Sequence, residues 1–267
     1  MSVPELLSDL RAALGADGVL SQPHERLVYD TDAYTIARGR PDVVVLPRTP
    51  EEVAAVVRIA ARHGMPLIPR GAGTGLSGGC MAPEGGIMIA LTRMTRILGL
   101  DPLNRSALVE AGVVNLTLSQ AAKPHGLHFA PDPSSQSACT LGGNVAENAG
   151  GPHTLKYGVT TNHVLGLEVV TPNGELVWLG GPAEDAPGYD LLGLFVGSEG
   201  TLGIVTRMLL RLTPTPPAVR TMLAAFATVE DASNAVSSLI ASGIIPAALE
   251  MMDQTIVEAV EAAFAFG

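Results

Sequence analysis

Cysteine is nearly absent: Cys80 and Cys139 are the only two among 267 residues. Two cysteines at that spacing exclude a disulfide framework and fit no zinc pattern. Aromatics make up 4% and charged residues only 16%, against 47% hydrophobic, which excludes a disordered chain and leaves a globular one with ample core. Basic charge is also scarce. With Lys+Arg 16 against Asp+Glu 26, the net charge of −10 argues against nucleic acid or an anionic membrane as the main partner. No apolar run approaches the roughly 18 residues that span a bilayer. The opening MSVPELLSDL has neither a basic n-region nor an apolar h-region, so the expectation is a cytoplasmic chain without a transmembrane segment. Peripheral docking at the inner membrane through partners stays open.

Several segments carry their own structural signals. Asp42–Pro47 reads as a short buried strand. Thr49, Pro50 and Glu52 then mark a helix start with a capping box, apolar residues recur at Val53, Val56, Val57 and Ala60, and Gly64 ends the helix. Further strands are expected at Met65–Ile68, Ile87–Leu91, Ala107–Ala111, Leu165–Thr171, Leu176–Leu179 and Gly203–Leu212, with a hairpin turn at Pro172–Gly174. Pro214, Pro216 and Pro217 make residues 212–219 the best linker. Beyond it the pattern reads strand, helix, strand, helix: Met222–Ala227, a helix capped near Thr228, Ile244–Met251, and a helix from Asp253. The chain ends where another strand is due, so an incomplete second domain is expected. The segments AARHGMPLIPRG (60–71) and AAKPHGLHFAPDP (121–133) share one plan and suggest two similar α/β units delivering loops to one place.

The stretch PRGAGTGLSGG, Pro69 to Gly79, contains a literal G-x-G-x-x-G. A dinucleotide fold of the usual kind requires a helix straight after those glycines. Here Gly79-Cys80-Met81-Ala82-Pro83-Glu84-Gly85-Gly86 leads directly into a strand. The loop therefore suits an anion nest of backbone amides, with charge from Arg70 and hydroxyls from Thr74 and Ser77. A second cluster, Ala130 to Gly151, sets Asp132 between two prolines and runs through Thr140-Leu141-Gly142-Gly143-Asn144 into a short helix expected over Val145–Ala149. Such a helix start offers free amides, and Asn144 and Asn148 suit the polar edge of a planar ring.

Together with FVGSEGTLGIVT (195–206), these two clusters resemble the FAD-linked oxidases of the vanillyl-alcohol-oxidase type, which carry a PCMH-type FAD-binding fold. Glycolate oxidase flavin subunits and D-lactate and D-2-hydroxyglutarate dehydrogenases are among those relatives. The resemblance implies an α+β fold: residues 1–37 an N-terminal helical segment, 38–217 an FAD-binding domain of two α/β subdomains, and 218–267 the start of a truncated substrate (cap) domain. It implies FAD held noncovalently, because the first loop has no histidine for a covalent link. Gly71, Ala72, Gly73, Thr74, Gly75, Ser77 and Gly78, with Arg70, would cradle the pyrophosphate. Pro131, Asp132, Thr140, Gly142, Gly143, Asn144 and Asn148 would line the flavin and ribityl side. Glu199, Gly200, Ile204 and Val205 would close over the adenine or ribityl portion.

The implied chemistry is hydride transfer from C2 of a small 2-hydroxy acid to flavin N5, with partner subunits carrying electrons onward. The expected chain binds FAD but turns over poorly alone. Alternatives are a noncatalytic flavin-carrying subunit and a same-fold NAD(P)H-dependent reductase. Catalytic residues are not identified; His153, Lys156 and Tyr157, directly after the second cluster, are the candidates. His125 and His128 suit loop and strand packing better than zinc, and no metal site is expected. No Ser-His-Asp arrangement, H-E-x-x-H or P-loop lysine stands out.

Overall fold

The computed structural model describes residues 3–182 and 188–265. In chain order the elements are α1 (Val3–Leu14), β1 (Val19–Leu20), α2 (Pro23–Arg26), β2 (Val43–Val45), α3 (Pro50–His63), β3 (Leu67–Arg70) and β4 (Ile87–Ala90). Next come β5 (Ile97–Asp101), β6 (Ser106–Glu110), α4 (Asn115–Ala122), β7 (Leu127–His128), α5 (Leu141–Glu147) and α6 (Thr154–Tyr157). The remainder is β8 (Val164–Val170), β9 (Leu176–Gly180), α7 (Leu191–Phe195), β10 (Ile204–Arg211), β11 (Thr213–Pro214), α8 (Val229–Ala241) and α9 (Gln254–Phe264).

Two sheets organise residues 19–211. The first runs β1-β2-β4-β3, with β2, β4 and β3 parallel and β1 antiparallel at the edge. Its central strand Ile-Met-Ile-Ala is buried on both faces, as parallel strands covered on both sides are. The second is antiparallel throughout, β5-β6-β10-β8-β9. β10 alternates buried and half-buried along its length, which fits one face packed and the other more open. The crossover helix α3 joins the sheets: it links β2 to β3 and packs on α1, β8 and β10. Its Val53, Val56, Val57 and Ala60 are all buried in the core that both sheets share.

Local sequence signals set the ends of α3. Thr49 Oγ1 accepts from the Glu52 amide at 3.2 Å, and Gly64 closes the helix with φ 63°. The expected capping box is only half formed, because the Glu52 carboxylate reaches past Thr49 to the Arg48 amide at 2.6 Å. The expected hairpin joins β8 and β9, with the Gly174 amide donating to Thr171 O at 2.8 Å.

Several expectations need correction. The short helix of the second cluster begins at Leu141, with Thr140 as its N-cap, and Asn148 is its left-handed C-cap at φ 50°. The proline-rich linker is not structureless: Thr213 and Pro214 pair antiparallel with His128 and Leu127. Proline is tolerated there because the ribbon has only two strands, so its missing N–H faces no further partner. Residues 222–227 and 244–251 form no strands; a strand exists only through a hydrogen-bonded neighbour, and among the described residues they have none. The two helices beyond the linker do form, capped by Thr228 and Asp253, and neither carries a buried residue. Strands β1 and β5 are additional to those expected, and β7 is the short strand that the shared plan of 60–71 and 121–133 implies.

Thr49→Ala should lower stability by about 1 kcal/mol through loss of the cap. Glu52→Gln, which keeps an acceptor for the Arg48 amide, should lower it by less than half of that. Urea denaturation of the two variants checks the order.

Candidate functional site

A cavity of about 320 Å³ opens where the carboxyl ends of β3 and β4 meet the start of β10 and the inner face of α5. Arg70, Gly71, Ala72, Gly73, Thr74 and Gly75 form one wall. Thr140, Gly142, Gly143 and Asn144 form the second, and Glu199, Gly200, Ile204 and Val205 the third. The loop after β3 and the segment after β7, represented by Pro133–Ser135, both arrive here, although β3 belongs to the parallel sheet and β7 to a two-stranded antiparallel ribbon.

The walls differ in what they offer a ligand. The first-turn amides of α5 are already bonded. Leu141 donates to Val113 O and Gly142 to Ala111 O, each at 2.8 Å, while Gly143 donates to Thr140 Oγ1 at 3.2 Å and Asn144 to Thr140 O at 2.9 Å. The helix start is therefore no source of free donors, contrary to the sequence expectation. The glycine loop is the reverse. Among the described residues, none accepts a hydrogen bond from the backbone amides of Gly71 through Cys80. Gly73 and Gly78 take φ of 72° and 75°, in the left-handed region that glycine adopts without strain. At Gly71 a Cβ would collide with Thr140 Oγ1, so the loop and α5 approach as closely as they do only with glycine there.

Charge in the cavity is mixed. Arg70 is 8% exposed, with its guanidinium 5.6 Å from the Tyr29 ring centroid and Nη1 3.5 Å from Cys80 Sγ. Glu199 and Glu147 converge on the far limb of the loop, against Gly79. Burial, then the Glu199 charge, then that of Asp32 push the Glu147 carboxyl above its ordinary range. Burial is also the main reason the Cys80 thiol is pushed up to about 11. Asn144 is buried on the second wall with its Nδ2 lacking a protein acceptor, a donor suited to a polar ring edge.

Five residues named from the sequence do not line the cavity: Ser77, Gly78, Pro131, Asp132 and Asn148. Asn148 Oδ1 accepts from the Thr161 amide at 3.0 Å, and Pro131 O accepts from Asn115 Nδ2 at 2.8 Å. Asp132 turns to His153, with Oδ2 2.6 Å from Nδ1. His153 lies beside Tyr157, ring centroids 6.4 Å apart, and Lys156 Nζ stands 5.2 Å from the Tyr157 centroid. The three catalytic candidates thus form one cluster, with the His128 ring 6.0 Å from Tyr157 and edge-on to it. Burial lowers the pKa of His128 and of His163. Among the described residues no three His, Cys, Asp or Glu side chains are grouped to hold a metal ion. Asp32, Cys80 and Glu147 line the cavity without having been singled out. Asp32 and Cys80 lie outside the quoted motifs, whereas Glu147 is the last residue of α5 within the second cluster.

Residues 41–180 match the FAD binding domain family, more than half of the chain. This chain belongs to the FAD-linked oxidases. Residues 215–266 match the C-terminal domain of FAD linked oxidases. The chain is 48% identical over 256 residues to the glycolate oxidase subunit GlcD of Escherichia coli K12, covering 96% of this chain and 51% of that protein. It is 42% identical over 221 residues to a D-lactate dehydrogenase of Anaerostipes hadrus, covering 82% of this chain and 46% of that protein. Among solved structures, alkyldihydroxyacetonephosphate synthase superposes with a TM-score of 0.79 at 25% identity, covering 93% of this chain and 47% of that one. The chain spans about half the length of these curated relatives. The row of unbonded amides and the buried Asn144 donor fit the pyrophosphate and ring edge of FAD, so the residues present suit the cofactor that the family carries. No helix among the described residues is long and apolar enough to cross a membrane.

A thiol with a pKa of about 11 is almost wholly protonated at neutral pH. Cys80 should therefore react with iodoacetamide at pH 8 about a hundredfold more slowly than a free thiol. The rate should climb until the pH passes 11. Peptide mass spectrometry after timed alkylation separates Cys80 from Cys139.

Proposed function

We propose that this chain holds FAD noncovalently in the cavity described above and serves a flavin-dependent 2-hydroxy-acid dehydrogenase of the glycolate or D-lactate type. The observation that carries the cofactor pose is the run of unbonded amides from Gly71 to Cys80. An acidic chain of net charge −10 must bind a pyrophosphate with local donors, and that loop is where such donors lie in sequence order. Arg70, buried behind the loop, adds a positive charge held off from solvent. In this reading Thr140, Gly142, Gly143 and Asn144 pack along the flavin and ribityl side, and Glu199, Gly200, Ile204 and Val205 cover the remaining length. The loop has no histidine for a covalent flavin link.

Bound flavin supplies a hydride acceptor for a C2–H bond next to a hydroxyl. The residues of this chain hold the cofactor, exclude water from its buried edge, and arrange polar groups nearby. Asp132 holds His153 by Nδ1, which fixes the orientation of the imidazole. With Lys156 and Tyr157, that histidine forms the proton-handling cluster we assign to the substrate side. The hydroxy-acid class rests on the names of the relatives, one a glycolate oxidase subunit and one a D-lactate dehydrogenase. The word subunit in the first also supports partner chains that take electrons onward, and a cytoplasmic site of action is consistent with both.

Titration with FAD should quench flavin fluorescence and leave the purified chain yellow. Gly73→Ala forces a side chain into a left-handed site against the Arg70 guanidinium and should weaken FAD about tenfold or more while the circular dichroism is kept. Absence of FAD binding by the wild-type chain overturns the cofactor pose. Anaerobic bleaching by glycolate or D-lactate supports the substrate class; bleaching by NADPH alone replaces it with a reductase.

A further inference from the structure

Some of the residues that hold the glycine loop come from outside the region that matches the FAD binding domain. That match begins at residue 41, yet the segment from Tyr29 to Tyr34 grips both limbs of the loop. On the near limb, the Ala33 amide donates to Gly73 O at 3.0 Å. On the far limb, Cys80 Sγ donates to Asp32 Oδ2 at 3.5 Å, and the Tyr34 ring edge lies where a Cβ on Gly78 would be 3.6 Å from it. Asp32 Oδ1 accepts from the Tyr34 amide at 2.8 Å, which folds the segment into a tight turn around its own carboxylate. Beneath the loop the Tyr29 ring supports the Arg70 guanidinium, whose Nη1 donates to the same Cys80 sulfur. Tyr29, Arg70, Cys80, Asp32 and Tyr34 therefore form one continuous chain of contacts behind the loop. Asp32 is 7% exposed and also reaches the cavity wall.

A loop with two left-handed glycines, whose internal backbone bonds are limited to its far end (the Met81 amide to Gly78 O at 3.1 Å and the Gly85 amide to Ala82 O at 3.3 Å), has little of its own to hold its shape. If a ligand had to order it, that entropy would be subtracted from affinity. We propose that residues 29–34 are a clasp that presets the glycine loop for the cofactor, with Asp32 as its positioning residue. The proposal rests on the reading that this loop carries the FAD pyrophosphate. Asp32 acts through Tyr34, Ala33 and Cys80, holding the amides of Gly71 to Cys80 in register. Its own negative charge would repel a phosphate, so contact with the cofactor is not its role.

Three variants test the clasp in the full chain. Asp32→Ala removes both acceptors and should weaken FAD about tenfold. Asp32→Asn keeps an oxygen for the Tyr34 amide and should restore binding to within about threefold of wild type. Ala33→Pro deletes the donor to Gly73 O without touching the carboxylate, and should lose affinity as Asp32→Ala does. In the FAD-free chain, hydrogen exchange at the Ala33 amide should quicken in Asp32→Ala and stay protected in Asp32→Asn, with the melting temperature changed little. A folded Asp32→Ala chain that binds FAD as tightly as wild type overturns the proposal, as does failure of asparagine to restore binding. If Asp32→Ala does not fold, Asp32→Asn and Ala33→Pro decide it between them: Ala33→Pro binding FAD as wild type does overturns the clasp. Exchange at Ala33 needs no cofactor. Unchanged protection there in Asp32→Ala sinks the clasp, whereas wild type failing to bind FAD sinks the cofactor pose instead.

Discussion

Everything at the site depends on the way α5 is tied to the strand end at Ala111–Val113. The amides of Leu141 and Gly142 are given to Val113 O and Ala111 O, so the helix start is bonded into the sheet and is closed to any ligand. The seam requires close approach: a Cβ on Gly142 would stand 2.7 Å from Ala111 Cβ and 2.9 Å from its carbonyl oxygen. Ala111 in turn donates to Thr206 O on β10, which brings the third wall of the cavity into the same hydrogen-bonded unit. One wall is thus rigid and poor in donors. The facing wall, the glycine loop, is rich in donors and has few bonds of its own.

That asymmetry divides the labour of binding. A helix N-terminus is a common place for a phosphate, and the sequence around Thr140 has its signature. Here the structure spends those amides on packing, and anion recognition passes to a loop with no helix behind it. The cost of ordering such a loop is met by neighbours: Arg70 and Cys80 below, Asp32 and Ala33 behind. The carboxylates of Glu147 and Glu199 on its far limb limit how much negative charge can sit there. A cofactor with hydroxyls and ring nitrogens beyond its two phosphates suits that mixture better than a bare polyphosphate does.

Local chemistry was legible in the sequence, and pairings between distant segments were not. Thr49, Thr228 and Asp253 each announce a helix because a cap needs only the next three residues. The hairpin at Pro172–Gly174 is equally local. By contrast, Met222–Ala227 and Ile244–Met251 have strand composition but no partner among the described residues, and composition alone cannot supply one. Strand β5 is not legible for the opposite reason: its run Ile-Leu-Gly-Leu-Asp is short, glycine-interrupted and exposed at Leu98 and Gly99, while pairing with β6 supplies what the pattern lacks. At the site, the glycine loop and the second cluster were readable as motifs. Asp32 was not, because a lone aspartate 48 residues before Cys80 shows its role only when the fold joins them.

The same contrast explains why a literal G-x-G-x-x-G can mislead about fold and still point to the right ligand. Glycines are needed wherever backbone must meet a phosphate closely, whatever follows them in sequence. In a Rossmann unit the next element is a helix whose dipole adds to binding. Here the next element is β4, parallel to β3, and the chain between them must reverse with no regular structure to guide it. A reversal of that length with left-handed residues at 73 and 78 is stable only if other segments fix it from outside. The motif therefore requires a clasp in this fold that it does not require in the other, and the N-terminal segment, which has no part in either sheet between α2 and β2, is placed to provide it.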